Sequence, residues 1–507
     1  MNRQEAVVRW AVALAPFMAF AAFPLPIPAL PAISADLGVG TADLQLLISG
    51  YALGLGALLI PCGVLVDRYG PVRVWIAAMA GFALFGALGA VAPGAELLVS
   101  TRIGQGAAGA GLMASSLTLV ATALPRSHRA GATAQWGAAI GAGLVVGPLA
   151  GGLALEFGHW RPALLGLAIV ALGAAGLGFF LRAVGGGGGS ARLDVVGTAT
   201  LAGGIGALIF AISSAGTSDW GSPGVVLGLI AAVALLVGFA LGQRRSVEPM
   251  IDVVVLRHRE YVGGLVAGLA LAMSALSMMV VIGPYLQVVV GASALVLGLW
   301  FLPFTGLAFL VALLGAPLVR RLSLRSRLVA GLGLSGAGMA ALLPIDAGWT
   351  WPLLLPGMAL VGTGVGLANP ALGLAAIRSV PPHRSGMAAG VANTARQLGN
   401  ALGIVVLGAA LQAAALHTAR ADSAGGEDAA AHVRIAEGDL AGARSLGSRA
   451  GGDIVQLYQS AQTAGVRVAL LVAIAMAVAG AIGTAWLMRP APARPTRGDA
   501  SASVRET

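Results

Sequence analysis

Lysine is missing altogether. All 30 basic residues of the 507-residue chain are arginine, set against 20 acids, for a net charge of +10. Charged residues of both signs make up only 10% of the chain, where a soluble globular protein carries about 25%. That scarcity argues against a soluble fold. Cys62 is the single cysteine, which excludes an internal disulfide and a cysteine-rich metal centre. Paired intramembrane acids, a Cys/His cluster and a phosphate-cradling loop beside a strand are all lacking, so no enzyme, no metal and no cofactor is expected. Segments of alternating polarity are lacking too, which excludes a membrane β-barrel.

What is present is apolar. Hydrophobic residues reach 58% of the chain, and runs of about 20 residues recur, long enough to cross a bilayer core as helix. Fourteen such spans begin near Trp10, Leu44, Val72, Leu97, Ala134, Pro162, Val195, Val225, Val262, Leu295, Leu328, Pro352, Met387 and Val468. The 76 glycines suit close helix approach in lipid. The first residues, MNRQEAVVRW, lead directly into a span without a cleavage site, which reads as a transmembrane helix rather than a signal peptide.

The expected fold is all-α and integral to a membrane. Residues 1–183 form an N-terminal six-helix half. Residues 184–260 hold a flexible linker (GGGGGS, 185–190) and two inserted helices. Residues 261–490 form a C-terminal six-helix half with a long, partly disordered outer segment at 417–467, and 491–507 form a disordered cytoplasmic tail.

Charge placement orients the chain. With the N-terminus inside, Arg3, Arg9, Arg126, Arg129 and most other arginines fall on the cytoplasmic side, whereas the short outer loops hold only Arg161. Asp36, Asp43, Glu96, Glu156, Asp219 and Asp346 fall outside. An even span count returns the C-terminus to the cytoplasm, in an inner or plasma membrane. Arginines distributed this way report topology rather than a nucleic-acid surface. An internal echo supports two halves: Gly63, Arg68 and Arg73 of GVLVDRYGPVR align with Gly315, Arg320 and Arg325 of GAPLVRRLSLR.

Four stretches carry a more specific signal: GVLVDRYGPVR (63–73), LLVSTRIGQG (97–106), GLVVGPLAGG (143–152) and PHRSGMAAGVANTARQLGNALG (382–403). Together, and in this order, they resemble the motifs of major facilitator superfamily transporters of the fourteen-span drug:proton antiporter type. The resemblance runs from the first span to the last. It implies a multidrug efflux transporter of the cell membrane, in which two halves rock around a midplane cavity. It also implies that Gly63, Asp67, Arg68, Gly70 and Arg73 latch the halves together in the outward-facing state. On the residues alone, positive-inside topology explains the arginines, and Gly63 and Gly70 permit a tight turn.

Arg102 lies inside span four, with Gln105 one turn on and Gly106 next to it. An ionisable residue inside a span is a functional-site hypothesis by default; snorkelling toward the interface is the alternative. Gly143, Gly147 and Gly151 share one face beside Pro148 and Gly152, which leaves close packing and a hinge both open. Asn393, Arg396, Gln397 and Asn400 fall at helical spacing and form a polar stripe, either lining a cavity or bonding neighbouring helices. Asn369 and Gln287 are placed to join it. Prolines 24, 26, 28 and 31 are incompatible with a regular helix, so the outer half of span one is expected to be broken.

One departure from the family pattern bears on mechanism. Proton-coupled members usually carry an Asp in span one, and Ala22 stands in its place. No Asp, Glu or His lies deep in any span, and arginine does not release a proton at ordinary pH. The leading expectation is drug or antibiotic efflux by alternating access, as a monomer, with protons as the coupling ion and a small molecule as substrate. The alternatives are an uncoupled or other-ion-coupled exporter of anionic or neutral metabolites, and a membrane sensor that has lost transport.

Overall fold

The computed structural model describes residues 3–181, 194–215, 221–245, 257–318, 322–378, 385–422, 432, 435–436 and 451–489. Regular structure among them is helical throughout. In hydrocarbon every backbone N–H and C=O needs a partner, and a helix supplies all of them within one segment. In chain order the helices are α1 (Arg3–Ala22), α2 (Leu30–Leu37), α3 (Thr41–Tyr69), α4 (Pro71–Ala90), α5 (Ala95–Ala123), α6 (Arg126–Glu156), α7 (Arg161–Gly176) and the short α8 (Gly178–Leu181). Then come α9 (Val195–Ala215), α10 (Pro223–Arg245), α11 (Arg259–Leu271), α12 (Ser277–Val288), α13 (Ala294–Trp300) and α14 (Leu302–Leu318). The last four are α15 (Leu324–Ala341), α16 (Trp351–Arg378), α17 (Ser385–Asp422) and α18 (Gly451–Leu487).

Eleven helices among the described residues are long and apolar enough to cross a membrane. This is fewer than the fourteen expected from the sequence. Arg161–Gly176 and Val196–Ile212 are apolar but short, and α15 opens with Arg325 and Arg327 and is rich in glycine, which dilutes its apolar stretch. The expected outer segment 417–467 also needs correction at both ends. Helix α17 continues to Asp422 and α18 already begins at Gly451. The reason is amphipathic spacing: Ile454, Tyr458, Ala461, Gln462 and Val466 recur along one face of α18 and are buried. Ile435 and Ala436 are buried as well, and the Gln462 side-chain amide donates to the Ile435 carbonyl over 2.6 Å. The GGGGGS linker, Arg320 and the tail 491–507 lie outside the described residues.

Span one is broken where its prolines stand. Helix α1 ends at Ala22, a 3-10 turn covers Ile27–Ala29, and α2 resumes at Leu30. Pro24, Pro26, Pro28 and Pro31 have no N–H, so the carbonyls four residues upstream lose their helical donors. Span nine is broken differently. A π-helical turn at Ala272–Leu276 separates α11 from α12.

One packing scheme recurs in α1–α6 and again in α11–α17. A Cβ on Gly106 of α5 would overlap the Tyr51 carbonyl of α3, and one on Gly362 of α16 would overlap the Phe304 carbonyl of α14. Likewise, Gly143, Gly147 and Gly151 of α6 close on the carbonyls of Phe17, Ala21 and Leu25, and Gly399 and Gly403 of α17 close on those of Leu269 and Met273. Helices α3 and α5 thus match α14 and α16, and α1 and α6 match α11 with its π-turn and α17. Between the halves in sequence, α9 and α10 pack on each other, and α9 also rests against α3 and α17. Leu201, Ile205, Ile209 and Phe239 share a buried cluster there with Ala57, Ile60 and Ala401. The outward side of α10 leaves Leu227, Ile230, Val233 and Val237 exposed, as a lipid-facing helix requires.

Candidate functional site

A cavity lies where α1, α3, α5 and α6 face the π-turn and α17. Its lining includes Phe20, Phe23, Tyr51, Leu55, Met113, Leu144 and Leu276, together with Asn393, Arg396, Gln397 and Asn400. In this conformation the space is narrow, about 20 Å³, room for about one water molecule, so a larger molecule enters only when the helices part. The polar stripe read from the sequence therefore does line a cavity. It also bonds a neighbour at one point: the Ser277 hydroxyl donates to the Asn400 carbonyl over 3.1 Å and approaches its Oδ1 at 3.3 Å. Ser277 borders the π-turn, a feature with no hydropathy signature. Asn369 is not part of the lining. Gln287 is not either, and instead its side-chain amide donates to the Pro28 carbonyl over 2.9 Å, joining α12 to the broken segment of span one.

The aromatic wall was not anticipated from the sequence, although Phe20 and Phe23 stand directly before the prolines. Tyr51 donates its hydroxyl to the Ala19 carbonyl over 2.6 Å and is 1% exposed. Behind it sits Arg102, also 1% exposed. The Arg102 guanidinium carbon lies 4.6 Å from the centre of the Tyr51 ring. Its Nη1 donates to Gln105 Oε1 at 2.7 Å, and its Nη2 donates to the Ala22 carbonyl at 2.8 Å. That carbonyl is the one left without a donor by Pro26. Arg102 is thus a structural clamp on the break of span one, and it borders a smaller pocket lined by Leu25, Pro26, Ala29 and Trp160 rather than the central cavity. Snorkelling is not its arrangement.

The glycines of α6 pack closely on span one. Gly143, Gly147 and Gly151 admit the backbone of span one at contact distance, Pro148 follows within the same helix, and Gly152 is buried. Gly106 does the same between α5 and α3. The loop motif divides. Gly70 has φ +84° and ψ 150° between α3 and α4, a conformation essentially confined to glycine. Gly63 lies within α3, and a Cβ there would meet nothing within 4 Å, so its expected place in a turn is corrected. Asp67, Arg68 and Arg73 are exposed. Arg68 stacks on Tyr69 at 5.4 Å, and Asp67 forms no ion pair among the described residues.

A second polar cluster marks the opposite end of the bundle. Arg161 Nη1 lies 2.6 Å from Asp36 Oδ2, Trp160 Nε1 donates to the same oxygen at 3.1 Å, and Arg161 Nη2 donates to the Ala92 carbonyl at 3.0 Å.

The family model described as "Major Facilitator Superfamily" matches residues 12–404. The chain belongs to the Major Facilitator Superfamily. This facilitator is 36% identical to the puromycin resistance protein of Streptomyces alboniger over 75% of its own length and 76% of that protein. It is 29% identical to the multidrug resistance protein Stp of Mycobacterium tuberculosis, over 96% of this chain and 93% of that one. In three dimensions it is similar to a bacterial homologue of the human lysosomal transporter Spinster, solved inward-facing and unoccupied. That likeness has a TM-score of 0.65 at 16% identity and covers 97% of this facilitator and all of that chain. The facilitator is a multi-pass membrane transporter, not an enzyme.

Proposed function

We propose that this facilitator exports small organic molecules of the drug or antibiotic kind by alternating access. It does so as a monomer in the cell membrane, with both termini cytoplasmic and with fourteen spans arranged as two six-helix halves and an inserted pair. The observation that carries the reading is the central cavity: aromatic side chains of one half face the polar stripe of α17 from the other. Mostly apolar walls with a few convergent polar groups are what a small-molecule site requires. The relatives named above, one a puromycin and one a multidrug resistance protein, support export as the direction.

Proton antiport is the expectation that the family resemblance brings. A second reading, transport uncoupled from protons, is favoured by the site itself. The cavity lining contains no Asp, Glu or His among the described residues. Arg102 clamps a backbone carbonyl at Ala22, where the coupled members carry an acid. Expression of the chain in an efflux-deficient bacterial host, with a panel of labelled antibiotics, tests export. Lower steady-state accumulation of at least one compound is expected, and it should return to the control level with Asn393→Leu and Arg396→Met combined. Unchanged accumulation across the panel by a chain shown to reach the membrane overturns the exporter reading.

A further inference from the structure

We infer that the central cavity takes an aromatic organic anion, and that the membrane potential drives its export. This rests on the exporter reading above and gives that reading a charge and a driving force. Arg396 lies on the cavity wall, with its guanidinium carbon 5.7 Å from the centre of the Phe20 ring across the interface between halves. Its stem packs against Gly268 of α11, where a Cβ would stand 3.1 Å from Arg396 Cγ. The stem is thereby held on its own half while the charged head reaches toward the other.

The fully buried arginine, by contrast, is already engaged. Arg102 is bonded to Gln105 and Ala22 and stacked on Tyr51. At the outer cluster, Arg161 is paired with Asp36. Arg396 has no ion pair among the described residues, and the cavity it faces holds no acid. Arg396 is only partly exposed; a guanidinium partly withdrawn from water without a counter-charge is costly, and a bound anion offsets that cost. A cation in the same cavity meets a like charge in a medium of low dielectric, with nothing to compensate it. Phe20, Phe23 and Tyr51 give the lining its aromatic surface, and Asn393 and Gln397 add amides to the same wall as Arg396.

The driving force follows from the charge. A cell interior is electrically negative, so an anion carried alone moves outward with the field. Export of such a substrate needs no proton-carrying acid, and this cavity has none.

Purified full-length protein in liposomes, with valinomycin and an imposed potassium gradient, tests the inference. The probes are naphthalene-1-sulfonate and its cationic counterpart, N,N,N-trimethyl-1-naphthylammonium, both permanently charged. With potassium tenfold higher outside, the sulfonate should accumulate inside toward about tenfold, the Nernst ratio for one charge. The cation should not compete, and in a separate experiment with potassium tenfold higher inside, which drives a carried cation inward, it should not accumulate. Arg396→Met should abolish sulfonate uptake, and Arg396→Lys should retain part of it. Uptake of the cation alone, or of both probes equally, overturns the proposal and leaves the exporter reading standing. Sulfonate uptake that follows an imposed pH gradient and ignores potassium also overturns it, in favour of proton coupling. Movement of neither probe overturns the proposal; the antibiotic panel then decides separately whether the exporter reading survives. These outcomes are read on the unaltered protein, so they hold even where Arg396→Met fails to fold.

Discussion

The clamp of Arg102 on span one can be measured as a coupling energy. The Ala22 carbonyl lost its helical donor because residue 26 is proline, and Arg102 Nη2 supplies a replacement at 2.8 Å. A buried hydrogen bond from a charged donor contributes about 1.5–3 kcal/mol. Arg102→Met removes it, along with the 2.7 Å bond to Gln105 and the contact with the Tyr51 face, each worth about 1 kcal/mol. The expected loss of stability is about 4 kcal/mol. Pro26→Ala restores an N–H in reach of Ala22 and lets the helix serve its own carbonyl. In that background Arg102→Met should cost about 2 kcal/mol less. The assay is equilibrium unfolding of the four proteins of the cycle in mixed micelles. Independent sites add to within about 0.5 kcal/mol. If Arg102→Met costs the same with and without Pro26, within that margin, the Ala22 carbonyl is not what Arg102 serves.

Three further outcomes follow from contacts described above. Gly70→Ala places a side chain at φ +84° and ψ 150°, and should destabilise the protein by about 1–3 kcal/mol in the same unfolding assay. Gly63→Ala, in open space within α3, should stabilise the protein by about 0.5–1 kcal/mol. Gln287→Leu removes the bond to the Pro28 carbonyl, a loss of about 1 kcal/mol from the contact between halves; a cysteine placed at Ile27 should then react faster with a membrane-impermeant maleimide, and an unchanged rate would mean that the bond does not hold that end closed.

The helical class was legible because hydropathy is a local signal, readable one segment at a time. The break in span one was legible for the same reason, since proline acts on its own backbone. The polar stripe of α17 followed from its spacing. What lies across from it did not, because Phe20, Phe23 and Tyr51 belong to other helices and their meeting is decided by packing. Arg102 was found as a costly buried charge, but its partner is a backbone carbonyl, and no residue type announces one. The π-turn at Ala272–Leu276 left no trace in a run that reads as uniformly apolar. Gly63 was misread because its loop motif straddles a helix end, and only Gly70 has the backbone conformation that glycine permits.

The meeting of α1 and α6 behaves as a toothed track. Carbonyls of Phe17, Ala21 and Leu25 recur every four residues, and each seats against one of Gly143, Gly147 and Gly151. A shift smaller than one tooth would drive a carbonyl against a buried neighbouring side chain such as Leu144. The two spans therefore slide past one another in whole helical turns of about 5.4 Å or not at all. Graded movement has to come from beyond Leu25, where the track ends among the prolines.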